Sequence, residues 1–298
     1  MICHYRRALC APPKPPHRPR PAVATGELAR LALVALSATA ACRGAGPGDA
    51  QRADVVLAGS TSMQPFAERW AQAFGRKNPG ARLSVQPGGS TTGVRLAASG
   101  VVQIGLSSRA LLPGERQGLQ EVAVAREAIA VVVSAKSPVS ALTLAEVRAV
   151  FRGEVASWRA LGGRDRPITV ITREQGSGTR GAFEELALGG GSVTAGALVG
   201  DSTGAVREMV SSDEDAIGYV SLGQVEGEVR ALALDGVAAS EESVVAGRYP
   251  LVRPFLMVTK GPPVGAAAAF IDFLRSPVGQ ALLASEGLIA GGGPPPRP

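Results

Sequence analysis

The chain has 298 residues, 45% of them hydrophobic, enough for two domains with cores of their own. Its formal net charge of +6 sits at the start: residues 1–42 hold Arg6, Arg7, Lys14, Arg18, Arg20 and Arg30 against Glu27, leaving 25 basic and 24 acidic side chains beyond, without the basic patch and interleaved aromatics that argue for nucleic acid. Both histidines (His4, His17) and all three cysteines (Cys3, Cys10, Cys42) lie in the same segment, so the rest of the chain cannot build a Ser-His-Asp triad, a Cys-His dyad, a His or Cys zinc site or an internal disulfide.

Leu28–Ala41 (LARLALVALSATAA) is apolar but shorter than the roughly 20 residues of a membrane-spanning helix. Basic residues precede it and small ones end it, the pattern of a secretory h-region. Thr39-Ala40-Ala41-Cys42 has the form of a lipoprotein cleavage box, in which Cys42 is lipidated as the mature N-terminus, although Leu is more usual where Thr39 stands. Ordinary signal cleavage after Ala38-Thr39-Ala40 is the alternative. Pro/Arg-rich residues 1–22 are foreign to a signal peptide, and translation from Val23 would remove them. The expected organisation is a leader over 1–42, a tether over 43–53 and a disordered Gly/Pro tail over 291–298.

Asp54–Ala58 reads as a strand and Pro65–Phe74 as a helix; Ala81–Gln86 is a second strand, followed by a helix over Gly93–Ala98. Gln103–Leu106 is a third strand. Glu121–Ser134 (EVAVAREAIAVVVS) is a long β-rich run that carries the chain out of the first domain. Leu144–Phe151 and Thr179–Leu188 read as helices, Pro167–Thr172 and Ala216–Val220 as strands. Pro254–Thr259 is the return crossing, and Val264–Ala284 supplies helices broken at Pro277. Strand–helix alternation predicts a mostly parallel α/β sheet. The two crossings predict two lobes joined by paired strands: 54–132 plus 253–290 as lobe 1, and 133–252 as lobe 2. Trp70 and Trp158 read as packing residues.

Three Gly/Ser/Thr turns each join a predicted strand to a predicted helix: Gly59-Ser60-Thr61-Ser62, Gly88-Gly89-Ser90-Thr91-Thr92-Gly93, and Gly176-Ser177-Gly178-Thr179 with Arg173 upstream. Such turns are most often plain N-caps, each contributing about 1 kcal/mol. A helix start also presents unpaired N–H groups and a partial positive charge, and glycine lets that backbone approach an anion. Three of them with an arginine able to fork onto two oxygens describe a cage for a small tetrahedral oxyanion. The second turn has P-loop-like spacing, but Val94-Arg95 follow it instead of Lys-Ser/Thr.

The stretches GSTSMQPF (Gly59–Phe66), GGSTTGV (Gly88–Val94), IGLSSR (Ile104–Arg109), REQGSGT (Arg173–Thr179), AIGYV (Ala216–Val220) and YPLVRPFLMVTKG (Tyr249–Gly261) resemble, in order, the phosphate-binding proteins of bacterial ABC importers, the PstS family. The resemblance spans roughly residues 54–290. It implies a type II periplasmic-binding-protein fold, α/β with two lobes on a two-strand hinge. It further implies that Thr61, Ser62, Ser90, Ser177, Gly178 and Thr179 donate to phosphate, with Arg173 as the anion-binding arginine. Longer members carry an Asp that accepts the proton of hydrogen phosphate, where this chain has Ser108. The Ser-Ser-Arg form fits the shorter branch, in which Arg109 also lies near the site.

The resulting expectation is an extracytoplasmic, monomeric solute-binding protein, lipid-anchored to the membrane, that captures inorganic phosphate for ABC permease subunits without catalysis, cofactor, metal or nucleic acid. Alternatives are a binding protein for sulfate or another oxyanion, a phosphate sensor without transport, and a secreted phosphatase.

Overall fold

Strand and helix alternate through the backbone much as they do in the sequence. The structure, a computed structural model, describes residues 53–290; the leader, the Cys42 lipidation box, the start at Val23 and the 291–298 tail lie outside the described residues. The chain begins with β1 (Ala53–Gly59), α1 (Gln64–Lys77), β2 (Ala81–Pro87), α2 (Ser90–Ser99) and β3 (Ile104–Ser107). The long strand β4 (Leu119–Ser134) follows. Next come β5 (Ala141–Leu142), α3 (Leu144–Phe151), β6 (Thr169–Arg173), α4 (Gly178–Leu186), β7 (Leu198–Gly200) and α5 (Thr203–Ser212). Then β8 (Ala216–Ser221), β9 (Val229–Ala231), β10 (Ala233–Leu234) and α6 (Glu241–Val245) lead to β11 (Val252–Lys260), α7 (Gly265–Arg275), α8 (Pro277–Ser285) and β12 (Ile289–Ala290).

The main sheet runs in the order β2-β1-β3-β11-β4-β8-β6-β7. Its two ends are parallel: β1 pairs with β2 and β3, and β6 with β7 and β8. Its centre is antiparallel because β4 and β11 cross it in opposite directions. Strand β4 pairs with β11 over Leu119–Ala128 and with β8 over Ile129–Val133. One core gathers Phe66, Trp70, Phe74, Ile104, Val124, Phe255 and Phe270. A second gathers Ile129, Val131, Phe151, Trp158, Phe183, Tyr219 and Leu251. These cores make two α/β lobes, and β4 and β11 are shared between them. Trp70 and Trp158 are buried, with indole N–H groups donating to Glu286 (2.9 Å) and to the Asp215 carbonyl (2.8 Å). Among the described residues, no helix is long and apolar enough to cross a membrane.

The topology places β1, β2, β3 and β6 with their carboxyl ends toward one crevice, where open α/β sheets hold ligands. Close backbone packing aims the helices. A Cβ on Gly93 of α2 would collide with the Ala58 carbonyl and lie 2.7 Å from Gly59 Cα, so glycine there lets α2 rest directly on the end of β1.

Candidate anion site

The first lobe contributes two turns and the end of β3. Ser60, Ser62, Ser90 and Ser108 are all buried. Ser60 Oγ lies 2.9 Å from both Ser62 Oγ and Ser108 Oγ; Ser90 Oγ accepts from the Ser108 amide at 3.1 Å and lies 3.4 Å from Ser108 Oγ. Hydroxyls from three separate segments therefore form one connected cluster. Ser90 opens α2 itself, three residues earlier than its periodicity predicts, after Gly89 at φ 79°. The first-turn amides of α2 have no acceptor within their own helix.

The second lobe contributes α4 and Arg173. Ser177 caps α4 by accepting from the Arg180 amide at 3.3 Å, which leaves the Gly178 and Thr179 amides without intrahelical acceptors. Arg173 ends β6 and is 1% exposed. It donates to Thr61 Oγ1 of the other lobe at 2.9 Å, to Thr203 Oγ1 at 3.1 Å, and through Nε and Nη2 to Glu174 at 2.8 and 2.9 Å. The strand end that carries it is fixed by Tyr219. The Tyr219 hydroxyl lies 2.7 Å from Thr172 Oγ1 and accepts from the Arg173 amide at 3.3 Å, and its ring stacks on Phe183 at 4.1 Å. Burial pushes that phenol up to about 12, so it stays neutral and free to donate.

The lobes meet across these turns. The Thr91 amide donates to the Gly176 carbonyl at 3.1 Å, and Gln224 Nε2 donates to the Ser62 carbonyl at 3.0 Å. Thr61, Ser62, Ser90, Ser108, Arg173, Gly178 and Thr179 are thus brought together, with Ser177 capping the helix that carries the last two. Arg109 is turned aside. Its guanidinium donates to Glu115 twice at 2.8 Å, to Thr91 Oγ1 at 3.1 Å and to the Ala110 carbonyl at 2.9 Å. It borders a groove of about 690 Å³ shared with Thr91, Gly176, Ser177 and Arg180. The Arg109 fork also holds the Glu115 carboxyl below its ordinary value.

A further arginine enters this region from β11. Arg253 is 1% exposed and pairs with Glu127, its register partner on β4, at 2.9 Å. Its Nη1 donates to Thr179 Oγ1 at 2.7 Å. Arg109, Arg173 and Arg253 each carry a glutamate (Glu115, Glu174 and Glu127). The arrangement therefore offers an anion oriented N–H and O–H dipoles with little net charge, chemistry that suits a small oxyanion stripped of water. Among the described residues, no group of three or more acidic, His or Cys side chains is gathered as a metal would need.

Residues 44–278 match the PBP superfamily domain. A phosphate-binding protein PstS from Bacillus subtilis is 34% identical over 228 residues, covering 74% of this chain and 75% of its own length. The chain belongs to the PstS family. A second PstS, from Pseudomonas aeruginosa, is 28% identical over 261 residues, covering 78% of this chain and 81% of its own. Among solved structures, a Clostridium perfringens protein assigned as the substrate-binding component of a phosphate ABC transporter, solved with bound phosphate, superposes with a TM-score of 0.77. It is 38% identical and covers 80% of this chain and 100% of its own. An ABC-type phosphate transport receptor from Vibrio cholerae gives 0.68 at 30% identity, with 80% and 100% covered. The two-lobed α/β architecture is that of this family.

Sequence reasoning did not single out Ser60, Glu115, Glu127, Glu174, Thr203 or Arg253. The signal for Arg253 was available: it is a lone charge in an otherwise apolar run (VRPFLMV), and a buried charge needs a partner. Glu127 is less conspicuous because Arg126 stands beside it in the same strand. Thr203 follows the cap residue Ser202 and opens α5, whose Val206 and Val210 keep helical spacing. That helix was missed in a stretch without a long apolar run.

Proposed function

We propose that this PstS family member is an extracytoplasmic solute-binding protein that captures inorganic phosphate between its lobes and presents it to an ABC permease. The observation that carries the reading is the approach of the α2 and α4 N-termini across the lobe boundary, with Gly178 against Ser90 and Ser108. In this reading Thr61, Ser62, Ser90, Ser108, Ser177, Gly178 and Thr179 supply hydroxyls and amides to the dianion. Arg173 supplies a guanidinium whose place is set by Glu174 and Thr203. Arg109 acts from the rim, holding Thr91 and the α2 start. Water leaves as the lobes close, and each hydrogen bond to the ion strengthens in the drier surroundings.

Residues 54–132 with 253–290 form one moving lobe and 133–252 the other, with β4 and β11 as the flexing pair. In this reading the protein works as a monomer. It works without turnover, because its clustered serines bond to one another and not to a carboxylate or imidazole that would activate one of them. Lipidation at Cys42 tethers it outside the cytoplasm. Calorimetric titration of the mature protein with phosphate tests the reading, and absence of heat or saturation sinks it.

A second reading, a receptor for sulfate or another oxyanion, is favoured by Ser108. Its hydroxyl bonds to Ser60 and Ser90, so the cluster holds no carboxylate to repel an ion that carries no proton. Parallel titration with sulfate at two pH values separates the two, because phosphate changes protonation near neutrality and sulfate does not.

A further inference from the structure

Arg253 and Glu127 face each other on the two strands that join the lobes. Both are buried, at 1% and 2% exposure. The guanidinium is divided. Its Nε and Nη2 donate to Glu127 Oε2 at 3.2 and 2.9 Å, while Nη1 donates to Thr179 Oγ1 at 2.7 Å and to the Ser108 carbonyl at 3.4 Å. Thr179 belongs to the second lobe and Ser108 to the first, so one group on a joining strand holds an anion-site turn from each. The other carboxylate oxygen of Glu127 accepts from Ser221 Oγ and from the Gly223 amide at 3.4 Å. The same loop carries Gln224, which donates to the Ser62 carbonyl at 3.0 Å. The pair is therefore wired to the first turn, the end of β3 and the third turn together.

We infer that Arg253, fixed by Glu127, is a positioning residue that latches the closed lobes and orients the Thr179 hydroxyl toward the bound oxyanion. The inference rests on the phosphate reading of the site. Its chemistry is local. With one lone pair of Thr179 Oγ1 taken by a cationic donor, the hydroxyl's own proton is polarised and directed away from Arg253, which makes it a better donor to an anion. Opening the lobes carries Ser108 away from Thr179, so Nη1 can then keep one partner but not both. Closure therefore gains a charge-assisted bond that the open form lacks. Stability alone does not explain such a pair. Removing two charges from water costs about as much as their attraction returns, and apolar replacements are often neutral. Burial pushes the Glu127 carboxyl up against the pull of Arg253, the mark of a pair held where water would solvate it better.

The test compares the wild type with Glu127→Gln/Arg253→Met, which removes both charges together so that neither is left buried alone, with Thr179→Val, and with all three changes combined. Thermal melting establishes folding, phosphate titration gives affinity, and stopped-flow gives the release rate. The double variant is expected to stay folded, lose about tenfold or more in phosphate affinity, and release phosphate faster. Adding Thr179→Val should cost clearly less than it does alone, because both changes break one bond. Arg253→Lys, which keeps the cation and the Glu127 pair but cannot fork, should fall between wild type and the double variant and keeps the idea testable if the double variant unfolds. Wild-type affinity and release in the folded double variant, or in folded Arg253→Lys, overturns the latch, as does full additivity with Thr179→Val. A wild type that ignores phosphate sinks the functional reading itself, a result distinct from these.

Discussion

Gly178 and Ser90 belong to different lobes, yet a methyl group on Gly178 would overlap the Ser90 hydroxyl and stand 2.6 Å from that of Ser108. The glycine is required by what lies opposite, since its own conformation is that of an ordinary first helical residue in α4. Gly178→Ala should therefore leave melting temperature nearly unchanged while keeping the lobes from closing. Phosphate affinity is expected to fall by at least about tenfold, the cost of one or two misplaced charge-assisted bonds. Calorimetry beside a melting curve checks this, and unimpaired binding would mean that closure at this point does not occur with ligand.

Arg173 lies buried among Thr61, Thr203 and Glu174. Arg173→Ala removes a charged donor from a dry site, an effect of roughly 2–5 kcal/mol, or about 30-fold to several thousand-fold in affinity. The variant also strands Glu174 with no counter-charge. Arg173→Ala/Glu174→Gln should consequently recover stability but not affinity. Equilibrium titration of both proteins decides the matter; phosphate affinity within a few-fold of wild type in the single variant would deny Arg173 its role.

Ser108 sits where longer relatives are expected to carry a proton-accepting carboxylate. Ser108→Asp should raise the preference for phosphate over sulfate by about tenfold or more, because a carboxylate accepts a proton from one ion and repels the other. Competition titrations report the ratio. An unchanged ratio would place the discriminating contact elsewhere.

The Arg109–Glu115 pair predicts behaviour in acid. Arg109 holds the Glu115 carboxyl below its ordinary value of 4.5, so the unfolded chain binds that proton more readily than the folded one. The stability gained is complete above the unfolded value and is lost as pH falls through the lower folded value. Glu115→Gln should be less stable than wild type near neutrality and lose less on acidification. Melting temperatures from about pH 7 to about pH 3 test this, and parallel curves for the two proteins would contradict it.

Much of this architecture can be read along the chain, because strands and helices buried on one side impose periods of about two and 3.6 on their apolar residues. The third turn is an example: PITVIT delivers Arg173, and Gly176–Thr179 start a helix. What escapes such reading is pairing over distance. Arg253 and Glu127 are 126 residues apart, and nothing local to either names the other. Glu115 looks like a surface residue beside Pro113-Gly114 until β3 turns Arg109 toward it. The central antiparallel pairing of β4 and β11 has the same origin: a mostly parallel sheet follows from alternation, but the crossing direction follows from the chain leaving one lobe and returning.

The most direct test is calorimetric titration of the mature protein with inorganic phosphate, with sulfate as the comparison ion. The account predicts one saturable site for phosphate, weaker binding of sulfate, and loss of the phosphate signal in Arg173→Ala. No binding of phosphate by well-folded wild-type protein, or equal binding by wild type and Arg173→Ala, would contradict it.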